Sequence, residues 1–293
     1  MSTVHFAKAA VPGLLALFLS AQALAQQAPV QPFKDELFTP DIVERRDGGA
    51  FERVDYRELR DINQRDEEPE RRVRRRYVDL GVRKAESLET WTLPTGPMDL
   101  GRAGPGKGSA FSVIFIHGRN GDRRLGMNDY RFGGNFNRLK NLAVRNGGTF
   151  YAPSVKTFDA KGVASIAALV AEIEARSPGR PVILTCASMG SFLCWGISRD
   201  AATVARLKGM AILGGAADRD YPKSAAFKAK LPVWFTHGGN DTTYRAEEQM
   251  ALYTALRSAG QPVRYTLFET GSHGTPVRMT DWRAVLNWIL TTK

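Results

Sequence analysis

From Phe111 to the end of the chain, short apolar runs alternate with stretches whose apolar residues recur at helical spacing, and no other feature restricts the fold as strongly. Val113-Ile114-Phe115-Ile116 has no polar position to turn toward water, as expected of a strand covered on both faces. Ile166, Leu169, Val170 and Ile173 then mark one face of a helix. Further strands are expected at 149–152, 182–186, 210–213, 233–236 and 263–268, with helices near 136–144, 189–199, 246–258 and 281–290. Such alternation builds a mostly parallel, doubly wound sheet with helices on both faces. Upstream, residues 77–80 and 88–93 read as outer strands. Residues 101–109 invite a phosphate-loop reading through Gly106-Lys107. That reading fails because Gly108 stands where the magnesium-binding hydroxyl should be and the stretch precedes a strand, so it is taken as a turn.

The junction after the strand expected at 182–186 reads Cys186-Ala187-Ser188-Met189-Gly190 and runs into a helix-like segment. A serine on a sharp strand-to-helix turn needs small residues two before and two after it. Gly190 meets this, and Cys186 stands where glycine is usual. A serine hydroxyl also needs a base within hydrogen-bond reach and a third group to orient that base. Of four histidines, His5 falls in a leader described below, while His117 and His237 end strands, where a packed ring is the expected role. His273, in Gly271-Ser272-His273-Gly274 between the last strand and the terminal helix, is the expected base. The orienting acid should follow a strand between Ser188 and His273; Asp241 is the first choice, with Asp218 and Asp220 in reserve.

Together, this junction, His237-Gly238-Gly239-Asn240-Asp241, Glu247-Glu248-Gln249 and Gly271-Ser272-His273 make residues 111–293 resemble an α/β-hydrolase catalytic domain. Within that superfamily they are most similar to the dienelactone-hydrolase, carboxylesterase and prolyl-oligopeptidase-like branch. The resemblance implies the α/β-hydrolase fold and a serine hydrolase, an esterase first, with a Ser188, Asp241, His273 triad. It also implies an oxyanion hole formed by the Met189 amide together with that of Gly118 or Arg119. Only 18 residues, 214–231, stand where a cap domain is commonly inserted, so no large cap and a preference for short or polar acyl esters are expected. The same triad would serve a peptidase or thioesterase. A non-catalytic binding protein on this fold and a polyanion-binding surface protein are the readings of a different class.

Residues 1–25 combine His5 and Lys8, an apolar stretch over about 9–19 and Ala23-Leu24-Ala25, the layout of a secretory signal peptide. Cleavage would leave a 268-residue periplasmic or secreted protein with no membrane anchor. A charged N-terminal extension, 26–72, then precedes a catalytic domain, 73–293. The net charge of +11 would matter for nucleic acid if it were concentrated. Residues 44–76, however, hold 11 Arg against 10 acidic residues, the layout of a solvated, salt-bridged surface, and no nucleic-acid partner is expected. Arg119, Arg123, Arg124 and Arg131 read first as solvated loop charges and second as an attraction for an anionic ester or acyl substrate. Cys186 and Cys194 cannot frame a disulfide network or a zinc site and are taken first as two buried thiols and second as a disulfide in an oxidising compartment, and neither cofactor nor metal is expected.

Overall fold

In the computed structural model, which describes residues 1–3 and 29–293, the apolar run around Val113 is buried along its whole length at the centre of a ten-stranded sheet. The apolar stretch and the Ala23-Leu24-Ala25 site of the expected leader lie outside the described residues. In chain order the strands are β1 (Ile42–Arg46), β2 (Phe51–Val54), β3 (Asp66–Glu68), β4 (Arg72–Val73), β5 (Glu86–Leu93), β6 (Gly96–Ala103), β7 (Ser112–Ile116), β8 (Thr149–Pro153), β9 (Val182–Ala187), β10 (Leu207–Leu213), β11 (Val233–Gly238) and β12 (Val263–Phe268). The large sheet runs β1-β2-β12-β11-β10-β9-β7-β8-β6-β5, and β3 pairs with β4 apart from it. Every pairing from β2 to β8 is parallel, whereas the marginal pairs β1–β2, β8–β6 and β6–β5 are antiparallel.

Successive side chains of a strand point to opposite faces, and the two cores follow from that. Ile114 and Ile116 of β7 pack with Leu184, Ile212 and the helix Ala160–Arg176, whose buried face is Ile166, Leu169, Val170 and Ile173. Val113 and Phe115 turn the other way, onto the helices Asn135–Arg145 and Trp282–Thr291. The sheet is therefore covered on both sides, as its near-continuous apolar strands require.

Two parts of the chain depart from expectation. Residues 77–80 form no strand: Arg75–Tyr77 is a single 3-10 turn, and the buried Tyr77 and Val78 pack with Phe38 and Val73. The backbone of Asp79 bonds to Asn137 and Asn141 side chains instead of to a sheet neighbour, which satisfies it without a ladder. The charged stretch 42–54, in turn, supplies β1 and β2 and so enters the main sheet beside β12.

Candidate active site

Ser188 follows β9 directly and opens a short 3-10 turn, Ser188–Gly190, that leads into the helix Ser191–Arg199. Its φ of 53° lies in the left-handed region that side-chain-bearing residues avoid, at a cost of about 1–3 kcal/mol borne by the surrounding fold. The turn is tight against the neighbouring strand: a Cβ at Gly190 would meet the backbone oxygens of His117 and Ile116 at 2.8 and 2.9 Å. Glycine is required there because no relaxation of a side chain could relieve backbone contacts.

The chain turns from β7 outward to β8 on one side and to β9 on the other, and in open α/β sheets the crevice at such a switch point is where ligands bind. Ser188 at the end of β9 and Gly118 just past the end of β7 face each other across it. A Cβ on Gly118 would sit 3.2 Å from Ser188 Oγ. From the far side of β9 come the other two groups. Ser188 Oγ donates to His273 Nε2 at 2.8 Å, and His273 Nδ1 donates to Asp241 Oδ2 at 2.8 Å. The His273 side chain keeps 32% of its surface, whereas that of Asp241 is fully buried. Burial alone would raise the Asp241 carboxyl, but hydrogen bonds from His237, His273 and the amides of Tyr244 and Thr243 hold it far below the usual carboxylate range. The reserve acids are engaged elsewhere, Asp218 by Arg199 and Asp220 by Lys223.

No family model and no curated protein matches the sequence. Solved structures do resemble it: a thermostable esterase with a TM-score of 0.54 at 17% identity, over 71% of this chain and 63% of that one. An esterase of Pyrococcus furiosus gives 0.53 at 14%, over 70% and 91% of the two chains. A Xanthomonas campestris protein described as an α/β serine hydrolase without lid gives 0.51 at 16%, over 70% and 93%. The chain has the α/β-hydrolase fold.

Around the Ser188–His273–Asp241 relay, the α/β-hydrolase fold places two more histidines, each doing a different job. His237 is buried and both of its ring nitrogens face oxygens: Nδ1 lies 2.7 Å from Gln249 Oε1, and Nε2 lies 2.9 Å from the Tyr244 carbonyl and 3.3 Å from Asp241 Oδ2. The Gln249 amide is fixed in that orientation because its Nε2 donates to the Gly215 carbonyl. Burial disfavours the charged ring, but the bonds to Asp241, Gln249 and Tyr244 outweigh it and raise the pKa, so the imidazolium satisfies the pocket best. His117 is the opposite case. Its Nε2 accepts from the Val155 amide at 2.9 Å and its Nδ1 donates to the Gly118 carbonyl at 2.7 Å, a neutral tautomer, and burial lowers its pKa.

The Cys186–Cys194 pair is where the structure corrects the sequence reading of two thiols. They form a disulfide, with Cα atoms 6.3 Å apart, inside the range such a bridge spans. Cys186 lies in β9 two residues before the serine and Cys194 in the first half of the following helix, so the bridge ties the two arms of the serine turn together. Both residues are fully buried.

Ser188, His273, Met189, Gly118 and Arg119 border one cavity of about 450 Å³ whose far wall is apolar, with Phe115, Leu125, Phe132, Leu213 and Val277. Of the four loop arginines, Arg123 pairs with Asp99 and Arg124 with Asp122. Arg119 lines this cavity, and Arg131 lines an adjoining one of about 420 Å³. Residues 214–231 hold only the turn Tyr221–Lys223 and the helix Ala225–Lys228. Tyr244 and Glu58 escaped the sequence reading. The first packs its ring 5.8 Å from that of His273, and the second grips the loop that carries it. Neither stands in a motif: Tyr244 follows the Asp241 loop without a fixed spacing, and Glu58 is one of many charges in its stretch.

Proposed function

We propose that this protein is an exported serine hydrolase, an esterase for short or polar acyl groups, with Ser188 as nucleophile, His273 as base and Asp241 as the acid that orients it. The observation that carries the reading is the pair of 2.8 Å hydrogen bonds that links the three side chains at the mouth of an open cavity. His273 Nε2 takes the hydroxyl proton as Ser188 Oγ adds to the ester carbonyl, and the tetrahedral oxyanion falls to backbone N–H groups. Met189 supplies one. The Gly118 carbonyl is held by His117 Nδ1 and the Gly121 amide, and across a trans peptide this turns the Arg119 N–H the opposite way, so Arg119 is assigned the second. Losing one such donor typically costs about 10²- to 10³-fold in rate. The same His273 then protonates the departing alcohol, and water repeats the sequence in reverse on the acyl-enzyme.

Solved structures of similar fold that are described as esterases and serine hydrolases support the hydrolase reading. The short connection 214–231 supports small acyl groups, since nothing in it is long enough to shelter a fatty chain. Arg119 on the cavity wall favours substrates bearing a negative charge. A fluorophosphonate probe should label the native protein and leave Ser188→Ala unlabelled, and p-nitrophenyl acetate and butyrate should turn over faster than the laurate. Absence of labelling in the native, folded protein would favour a non-catalytic binding role on this fold; highest activity on the laurate would overturn the acyl-length assignment.

A further inference from the structure

Resting on the hydrolase reading, we propose that Glu58 is a positioning residue that holds the His273 loop in line with Ser188, so that the N-terminal segment completes the active site. His273 stands in a loop between β12 and the helix Thr275–Met279, flanked by Gly271 and Gly274, and a base so placed needs outside support. The support comes from residues 53–58. Glu269 pairs with Arg53 and with Arg57, and Thr270 donates from its amide at 3.2 Å and its hydroxyl at 2.9 Å to the Tyr56 carbonyl. Thr270 Oγ1 also accepts the Glu58 amide at 3.0 Å.

Glu58 itself takes the residues on both sides of the histidine. Its Oε1 accepts from Ser272 Oγ at 2.7 Å, and its Oε2 accepts from the Ser272 amide at 3.2 Å and from Thr275 Oγ1 at 3.0 Å. One carboxylate thus fixes the position immediately before His273 and the position two after it. These bonds are not what docks the N-terminal segment. The ladder of β2 on β12, the pairing of β1 with β2 and the Tyr253–Asp47 hydrogen bond hold that segment without them. What Glu58 adds is restraint on the loop that carries the base.

Displacing a catalytic group by about 1 Å can cost on the order of 10²-fold, which sets the size of the expected effect. In folded Glu58→Ala, the second-order rate of fluorophosphonate labelling should fall by about that factor, with kcat reduced and KM for an acetate ester held within about twofold. Glu58→Gln keeps one accepting oxygen and the side-chain volume, and it should recover most of the rate. Arg45→Ala, which removes an exposed ion pair of the same segment, should label like the native protein. An independent readout is the strongly downfield proton resonance of the His273–Asp241 hydrogen bond, which should broaden or vanish in Glu58→Ala and persist in Arg45→Ala and Glu58→Gln. Native labelling and an unaltered resonance in Glu58→Ala would overturn the proposal. If the native protein shows the resonance but takes no label, the hydrolase reading fails, and the effect of Glu58→Ala on that resonance still decides whether Glu58 positions the histidine.

Discussion

Asp241 accepts three hydrogen bonds and faces His237 besides, and the division of labour between its two oxygens bears on what substitution there would do. Oδ1 takes the Thr243 and Tyr244 amides at 2.8 and 3.1 Å, while Oδ2 faces His273 and His237. The carboxylate thus builds its own loop and, on the proposed reading, orients the base at once. Asp241→Asn should therefore lower turnover by several orders of magnitude, since an amide that donates toward His273 Nδ1 favours the wrong tautomer. Asp218→Asn weakens an ion pair to Arg199 and the turn bond from the Asp220 amide, and touches none of the three candidate side chains, so it should stay near native. Ser188→Ala, His273→Ala and their double variant should be almost equally inactive, because the residues act as a unit. Circular dichroism on each variant, followed by steady-state rates, checks this; near-native turnover of folded Asp241→Asn with loss in Asp218→Asn would move the acid to the loop after β10.

Among the elements, the β5–β6 hairpin carries the clearest link between pH and stability. Burial raises the Glu89 carboxyl, yet hydrogen bonds from Arg102, Ser87 and Trp91 outweigh it and bring its pKa to about 2. Arg102 lies across the hairpin on β6, and the guanidinium of Arg176 stacks 3.7 Å from the Trp91 ring centre, so the charge ties the sheet edge to the helix Ala160–Arg176. A carboxyl whose folded pKa is depressed stabilises the protein above its unfolded pKa of about 4.3 and loses that effect as pH falls through the folded value. The melting temperature of Glu89→Gln should accordingly lie furthest below native near neutral pH, with the gap closing as pH is taken down toward about 2. A gap independent of pH would show that the side chain contributes through packing alone.

Elements also show what the sequence makes legible. The central strands could be located because burial on both faces writes itself as largely apolar runs, and β12 matches its expected limits, 263–268, although Arg264 and Thr266 interrupt it. Ser188, Asp241 and His273 were legible for a related reason: each follows a strand, where glycines and polar residues interrupt the apolar pattern. β1 and β2 were not. Glu44-Arg45-Arg46 reads as surface because β1 is an edge strand whose charges discourage further pairing, and the partner of β2 lies more than 200 residues away. The disulfide stood only second to two thiols because eight residues of separation permit a bridge only once the serine turn has folded the helix back against the end of β9.

On the scale of the whole molecule, the Cys186–Cys194 bridge bears on the proposed export. A disulfide persists in oxidising compartments, which supports the export reading, and closing a loop this short contributes roughly 2–3 kcal/mol on the chain-entropy account. Among the described residues no helix is long and apolar enough to cross a membrane. If the expected leader 1–25 is removed on export, N-terminal sequencing of protein from the periplasm or medium should begin at Gln26. Recovery of a chain that retains Leu14–Leu19 in the membrane fraction would remove the signal-peptide assignment.

The position of β12 between β11 and β2 has a consequence for when Ser188, His273 and Asp241 can come together. The strand that leads to His273 is synthesised more than 200 residues after one of its two neighbours, β2. Their backbone contact joins residues 214 apart, as in the bond from Thr270 to Tyr56. Contacts of such range are slow to form, because a long loop must close before anything is gained. A nascent chain that has already folded β7 to β10, serine turn included, still has no His273 in place. On the proposed reading, Ser188 stays unarmed until β12 has docked between β11 and β2, so that strand pairing across most of the described residues sets the moment at which the serine can react.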